Sequence, residues 1–242
     1  MQRMETFEQP PIYDARAQLA DEFDRVASRY DLLQRFNPGY RAHLRWSAKR
    51  LQAPARGRIL DLCCGTGLST EALVSCYPEA EIVGVDISPG MLQVARRKRA
   101  LSKVRFIEGN AMDLAASGCN GPFDAVLMAY GIRNVPDPDL CLTRLRQQIA
   151  PGGRVAFHEY LVAGSRWSRA VWNVVAGTII IPLGTLATGS GSLFRYLRES
   201  VNHFDGLETF EDRVRRAGFL HVHTKPMSGW QRGIVHTVLA TI

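Results

Sequence analysis

Two carboxylates frame a glycine turn between Arg58 and Asp86 (RILDLCCGTGLSTEALVSCYPEAEIVGVD), and the chemistry of the chain starts there. Asp61 precedes Gly65 by four residues, and Asp86 follows it by twenty-one. Gly65-Thr66-Gly67 lets the backbone turn tightly and lie against a ligand, because no Cβ intervenes at the glycines. An acid roughly 20 positions after such a turn suits a ribose diol, which offers two hydroxyl donors to a carboxylate. A dinucleotide site asks for a third glycine where Thr70 stands, and Asp61 would repel its two phosphates. A ligand bearing an ammonium and a sulfonium would be drawn to the same carboxylate. The residues therefore favour S-adenosylmethionine, with a purely structural glycine turn as the alternative.

These residues need a strand, a turn, a helix and a second strand to hold them. Ile59 to Leu62 is a short apolar run that periodicity alone leaves as strand or helix, and the flanking Gly57 and Gly65 favour strand. Leu68 to Cys76 has helical spacing and ends before Pro78. Glu81 to Val85 forms the next strand, with Asp86 at its carboxyl tip, where open α/β sheets bind ligands. Before this unit, helical patterns run from about Ala15 to Arg35, with Leu19, Phe23, Val26, Ala27 and Tyr30 on one face, and from Tyr40 to Leu51. After it, Pro89 starts a helix, and strands are expected at Val104–Ile107, Phe123–Met128 and Arg154–Glu159. The helix between the last two ends near Ile149. A helix from Leu207 to Ala217 and two closing strands, Leu220–Thr224 and Gly233–Ala240, complete the series. Strands alternating with helices imply a mostly parallel sheet. The expected division is residues 1–56 as closing helices and residues 57–242 as the ligand-binding domain, with an insertion at about 164–204.

The insertion is built differently. Ala170 to Phe194 contains no charged residue. Its length admits a membrane span, yet Pro182, four glycines and several Ser and Thr argue for an apolar cap of short helices over the crevice. Such a cap either covers a lipophilic substrate, touches a bilayer peripherally, or only packs on the core.

Composition sets outer bounds. The chain has 242 residues, a net charge of +7 and a 46% hydrophobic share, which fits one α/β domain of ordinary globular type. The basic run Arg96-Arg97-Lys98-Arg99 lacks the interleaved aromatics of a single-strand binding surface and reads as a solvated helix end. Five cysteines without metal-ligand spacing indicate reduced thiols and no metal site. MQRMETFEQPPIYD has no apolar stretch to act as a signal peptide, so a cytoplasmic protein, possible at a membrane periphery, is expected.

The motifs together resemble class I S-adenosylmethionine-dependent methyltransferases, and within them the ubiquinone/menaquinone-biosynthesis C-methyltransferases (the UbiE-like family). The resemblance rests on F-x-x-V-A-x-x-Y-D at Phe23–Asp31, H-x-x-W at His43–Trp46, DLCCGTG at Asp61–Gly67 and D-I-S-x-x-M-L at Asp86–Leu92. It continues with EGNAMDL at Glu108–Leu114, YGIRNVPD at Tyr130–Asp137, PGGRVAFHE at Pro151–Glu159 and YLRESV at Tyr196–Val201. It implies a Rossmann-like fold with a seven-stranded, mostly parallel sheet, helices on both faces, N-terminal helices and the apolar cap. The implied reaction is C-methylation of an electron-rich quinol or phenolic ring, with S-adenosylhomocysteine as product. Leu33-Gln34 and His236 to Leu239 depart from the family pattern, which keeps O- or N-methylation of a small specialised metabolite open. A non-catalytic scaffold is a further alternative, and a nucleic-acid substrate is disfavoured. A homodimer is possible.

Roles follow for single residues. Asp61, Gly65 and Gly67 are expected to cradle the methionine half, with Thr66 near its carboxylate. Asp86 would hold the ribose hydroxyls, Ile87 and Met91 would flank the adenine, and Asn110 and Ala111 would read its amino group. Tyr30 would close the site. A cation near the acceptor oxygen lowers its pKa, so Arg133 would face a phenolate and Asn134 would orient it or a water. His158, Glu159 and His203 are candidates for the base. Tyr130 and Tyr196 would line the acceptor pocket.

Overall fold

The computed structural model describes residues 19–35, 37–189 and 191–242. The expected start of the first helix at Ala15 and the leader reading both fall outside them. Helix α1 (Leu19–Arg35) and helix α2 (Tyr40–Leu51) precede strand β1 (Arg58–Leu62), helix α3 (Leu68–Cys76) and strand β2 (Glu81–Asp86). Helix α4 (Pro89–Arg96), β3 (Arg105–Glu108), β4 (Phe123–Ala129), α5 (Pro138–Arg146) and β5 (Ile149–Tyr160) follow. The chain closes with α6 (Arg166–Val175), α7 (Ile181–Thr188), α8 (Ser192–His203), α9 (Leu207–Arg216), β6 (Leu220–Pro226) and β7 (Val235–Thr241).

The seven strands form one sheet in the order β3-β2-β1-β4-β5-β7-β6. Strands β1 to β5 pair in parallel, and β7 runs antiparallel to both of its neighbours. The order reverses beside β1, so the loops after β1 and β4 open into one crevice at the switch point. Side chains alternate between two buried faces, as a sheet covered on both sides requires. Leu60, Leu62, Val85, Val126 and Phe157 pack on one side with Phe210 of α9. Ile59, Ile82, Ala125 and Leu127 pack on the other with Leu44 and Leu51 of α2 and Leu73 of α3.

Local signals set the helix starts. Ser88 accepts from Met91 N at 3.0 Å with Pro89 at the first helical turn, and Asp137 accepts from Leu140 N at 3.0 Å ahead of Pro138. Helix α1 is fastened over the crevice by two acids seven residues apart, a spacing that puts both on one helix face. Asp24 accepts from Gly90 N at 2.9 Å and from Ser88 Oγ, while Asp31 accepts from Thr66 Oγ1 at 2.5 Å and pairs with Lys98 at 2.5 Å. Lys98 corrects the expectation of a wholly solvated basic run. Its side chain is only 15% exposed and meets Asp31 and Glu71.

The insertion also differs from expectation. Instead of several short helices, Arg166–Thr188 forms one continuous helix of 23 residues, in which Ala176–Ile180 takes a π turn. Pro182 lies at the start of α7, directly after that turn. A wider i→i+5 turn is where a helix absorbs the hydrogen bond that a proline cannot make. This is also the one helix among the described residues that is long and apolar enough to cross a membrane.

Candidate active site

Two cavities meet above the carboxyl ends of the strands. The larger, about 330 Å³, lies over the tips of β1, β2, β3 and β4 and is roofed by α1 and α2. The smaller, about 130 Å³, lies between the insertion, α1 and the loop after β4. Phe23, Tyr30, Tyr40, Tyr130 and Asn134 line both, so they form the wall between them.

Most of the residues expected at the cofactor site reach the larger cavity: Tyr30, Gly65, Thr66, Asp86, Ile87, Met91, Asn110 and Ala111 all line it. Gly65 has φ +53° and a Cβ there would meet nothing within 4 Å, so the turn faces open space. Asp86 accepts from Gly65 N at 2.8 Å and Ser88 N at 2.9 Å, which ties the tip of β2 to the turn after β1. Burial raises the Asp86 carboxyl, with the Ser88 and Gly65 amides opposing.

Asp61 and Gly67 lie beneath the cavity, not on it. Asp61 is fully buried, and its Oδ2 accepts from Ser69 Oγ at 2.8 Å and Thr70 Oγ1 at 2.6 Å. Its Oδ1 has no hydrogen-bond partner among the described residues. Burial pushes its carboxyl up to about 7, against the pull of those two hydroxyls. Gly67 caps α3 at φ +85°, and a Cβ there would stand 2.6 Å from Leu101 Cδ1, so it serves the turn's packing. Two further details refine the expectations. Thr66 gives its hydroxyl proton to Asp31, and Asn110 Oδ1 accepts from Met112 N at 2.9 Å.

The smaller cavity is apolar. Leu183, Leu193 and Phe194 line it, and Arg133 is the single charged side chain on its wall among the described residues. Arg133 is 3% exposed. Its Nη1 donates to Glu159 Oε1 at 2.5 Å, its Nε donates to Ser200 Oγ at 3.0 Å, and its guanidinium lies 5.8 Å from the Tyr160 ring centroid. Asn134 Nδ2 donates to the Tyr130 carbonyl at 3.1 Å, and its Oδ1 accepts from Tyr196 Oη at 3.2 Å. Tyr196 lines the smaller cavity.

The three candidate bases fare differently. His203 is exposed at the end of α8, with Nδ1 against the Glu199 carbonyl at 2.8 Å, and lines neither cavity. It shares a helix with Tyr196 but faces away, and is removed from the site. Glu159 lies behind Arg133, where burial raises its carboxyl and Arg133 opposes; its Oε2 has no hydrogen-bond partner among the described residues. His158 stands behind Tyr130, between Tyr130 Oη and Ser47 Oγ at 2.8 Å each. Burial drives the imidazole down to about 3, and His43 and Arg50 add to the effect. His158 lines neither cavity and its Nε2 is taken up by the Tyr130 hydroxyl, so its direct contact on the cavity wall is Tyr130.

Sequence reasoning missed Tyr40, Tyr160 and Asn37, which all line the smaller cavity. Tyr40 stacks on Tyr130, with ring centroids 5.5 Å apart, and Tyr160 packs at 4.9 Å from the same ring. Burial raises the phenols of Tyr30, Tyr40, Tyr130 and Tyr160, so all four stay neutral.

A mostly parallel sheet in this order with an antiparallel β7, a glycine turn facing a cavity and an acid at the tip of β2 define a methyltransferase fold. Solved structures agree on the fold. A possible histamine N-methyltransferase from Thermotoga maritima superposes with a TM-score of 0.64 at 20% identity, over 90% of this chain and 97% of its own. Phosphoethanolamine N-methyltransferase 2 of Haemonchus contortus, solved with S-adenosyl-L-methionine, gives 0.65 at 19% identity, over 97% and 60%. Residues 13–240 match the ubiE/COQ5 methyltransferase family, and the chain belongs to that family. It is 38% identical to a demethylmenaquinone methyltransferase of Thermus thermophilus over 81% of this chain and 90% of that protein. It is 34% identical to a ubiquinone/menaquinone biosynthesis C-methyltransferase UbiE of Bradyrhizobium diazoefficiens, over 92% and 91%. The chain is thus an S-adenosylmethionine-dependent methyltransferase. The larger cavity fits that cofactor on its own features: open space at Gly65, a carboxylate on the wall at Asp86, and an unpartnered carboxylate oxygen at Asp61 below the turn.

Proposed function

We propose that the enzyme methylates a ring carbon of a quinol or related phenol, held in the smaller cavity with its reacting edge at the Tyr30–Tyr130–Asn134 wall. The observation that carries this reading is Arg133, the one charged side chain among the described residues on a chamber lined mostly by apolar and aromatic groups, with Gln34, Asn37 and Asn134 as its amides. S-adenosylmethionine, when bound, supplies an activated methyl group on a sulfonium. Asp86 would hold its ribose hydroxyls, Gly65 would hold its amino-acid end above the buried Asp61 carboxylate, and Ile87, Met91, Asn110 and Ala111 would hold its adenine.

The protein's remaining task is alignment, exclusion of water and activation of the acceptor. A phenol beside Arg133 loses its proton more readily, because the cation stabilises the phenolate in a poorly solvated site. The phenolate then makes the neighbouring ring carbon nucleophilic. Asn134, held between the Tyr130 carbonyl and Tyr196, would orient the ring oxygen or a water. The ring carbon gains a methyl group and loses a proton, and no carboxylate or imidazole lines the smaller cavity among the described residues. The proton's exit is therefore assigned to water, with the lowered phenol pKa as the kinetic device. Helices α1 and α2 act as the closing element, with Tyr30 on the shared wall.

The Thermus and Bradyrhizobium relatives are named for demethylmenaquinone and for ubiquinone/menaquinone biosynthesis, which supports a tailed quinol as the acceptor. The test is methyl transfer from labelled S-adenosylmethionine to phenols, short-tailed and prenylated quinols and polar metabolites, with each product mapped by NMR. A new ring C-methyl group is expected. An O-methyl product would overturn the assignment of the reacting atom.

A further inference from the structure

The helix Arg166–Thr188 is docked on the protein by one face and open on the other along its whole length. Trp172, Ala176 and Gly184 are buried on the inner face. Trp172 Nε1 donates to the Arg198 carbonyl at 3.3 Å, and Asn173 meets Asn202 at 3.0 Å. At the far end, Gly184 closes on the Phe194 ring, and Arg29 donates to the Ala187 carbonyl at 2.7 Å. On the outer face Trp167, Val174 and Leu186 are 78%, 62% and 84% exposed. Only 17% of the helix's apolar window is buried, whereas a core helix of a water-soluble domain hides most of it.

Docking at both ends excludes a crossing orientation for this helix and leaves one that lies flat. The charges around it select the partner. Arg166 and Arg169 flank its first turn, and Arg195 and Arg198 stand exposed on α8, against one acid, Glu199, in the segment from 166 to 204. An apolar face with arginines at its margin matches the surface of an anionic bilayer. The same face reaches the acceptor chamber: Ile179 and Leu183 line the smaller cavity while remaining 46% and 43% exposed.

We infer that the outer face of Arg166–Thr188 docks flat on an anionic membrane surface and admits a lipid-tailed acceptor past Ile179 and Leu183. Docking is independent of the chemistry proposed above; the entry route rests on it. The experiment is sedimentation of the full-length protein with phosphatidylcholine vesicles, with and without phosphatidylglycerol, for the wild type and Val174→Glu/Leu186→Glu. Neither substituted residue lines a cavity. The wild type should sediment with the anionic vesicles and be released by salt, and the variant should bind about tenfold or more weakly. Unchanged S-adenosylmethionine affinity and melting temperature would show that the variant is folded. Given turnover, it should keep its rate on a short-tailed quinol in buffer and lose rate on a long-tailed quinol in vesicles.

Wild-type protein left in the supernatant with both vesicle types would overturn docking, whatever the product of the reaction. A wild-type dimer that the variant breaks, without vesicle binding, would assign the face to a second copy instead. Vesicle binding with equal rates for the two forms on the vesicle-borne quinol would overturn the entry route alone. Vesicle binding without ring methylation would count against the proposed function and leave docking standing.

Discussion

Tyr130 points its hydroxyl at His158 Nε2, 2.8 Å away, while its ring lines both cavities. The backbone at Tyr130 is left-handed, φ +56°, a conformation that a bulky residue adopts only when its surroundings impose it. Its amide donates to the His158 carbonyl at 2.7 Å, so His158 holds both the main chain and the phenol. Ser47, also bonded to Thr237 at 2.8 Å, fixes the other side of the imidazole.

His158→Ala should therefore leave a buried phenol without its partner, at a cost of about 1–3 kcal/mol. Turnover should fall while S-adenosylmethionine affinity stays near the wild-type value, and His158→Gln, which can accept at a similar point, should recover part of the rate. If His158 only positions Tyr130, substitution leaves the shape of the pH–rate profile unchanged. A profile that loses an inflection in the variant would restore it as a proton carrier.

The same burial makes stability pH-dependent. His158 and His236 are depressed to about 3 and about 4, below the ordinary value of about 6.5 in the unfolded chain. The unfolded state thus binds more protons between those limits. Their contribution to stability is complete above about 6.5 and is lost as pH falls toward 4 and then 3. Denaturant titrations should show this slope, and Thr in place of His236 should flatten its share.

Much of the larger cavity's lining was legible because its residues lie close together in sequence. Asp61, Gly65 and Asp86 fall within one strand-turn-helix-strand unit, and spacing alone puts them at neighbouring strand tips. What spacing did not show was depth: Asp61 and Gly67 stand below the surface that Gly65 presents, a matter of side-chain direction along the strand and turn. The acceptor side is assembled from α1, α2, β5 and the insertion, so Tyr40 against Tyr130, or Arg133 against Glu159, are pairings no local pattern records. The insertion's charge-free composition was readable, but its continuity was not, since Pro182 and the glycines read as breaks and nothing in the spacing marks the π turn at Ala176–Ile180. His203 was chosen by residue type alone, and helix phase turned it outward.

Asp61 supplies a prediction about affinity. Its carboxyl is raised to about 7 with one oxygen unpartnered, and a cationic ammonium brought near it favours the ionised form. S-adenosylmethionine should bind more tightly at pH 8 than at pH 6, with proton release on binding in that range. Calorimetry in buffers of different ionisation enthalpy counts those protons. Asp61→Asn should weaken binding at pH 8 and abolish the release. For stability the sign is opposite to that of the histidines: the folded state holds this proton more tightly than the unfolded state. Between about 4 and 7 the Asp61 contribution therefore falls as pH rises.

Asp86→Asn tests the ribose assignment. The amide keeps one oxygen for Gly65 N or Ser88 N and sets its NH2 against the other N–H, so the melting temperature must be read alongside, while the charged acceptor for two hydroxyls is lost. Hydrogen bonds to charged groups contribute about 1.5–3 kcal/mol each, which corresponds to roughly tenfold to a hundredfold in affinity. A dissociation constant unchanged in the variant would remove Asp86 from cofactor recognition.

Arg133 needs a paired design, because it is bonded to a buried acid. Arg133→Met alone would leave the buried Glu159 carboxylate without its guanidinium, with backbone amides, that of Tyr160 among them, as its remaining partners. Breaking such a pair from one side costs about 3–5 kcal/mol, so lost activity in the single variant could reflect lost folding. Neutralising both sides with Arg133→Met/Glu159→Gln should restore much of that stability. If Arg133 only braces the wall, the double variant should regain turnover along with its melting temperature. If it stabilises the acceptor phenolate, turnover should remain down by about 100-fold or more with S-adenosylmethionine binding intact. Raising the pH should then recover part of the rate, since the acceptor would ionise without help from the guanidinium. A double variant that melts, binds the cofactor and turns over like the wild type would remove Arg133 from the reaction.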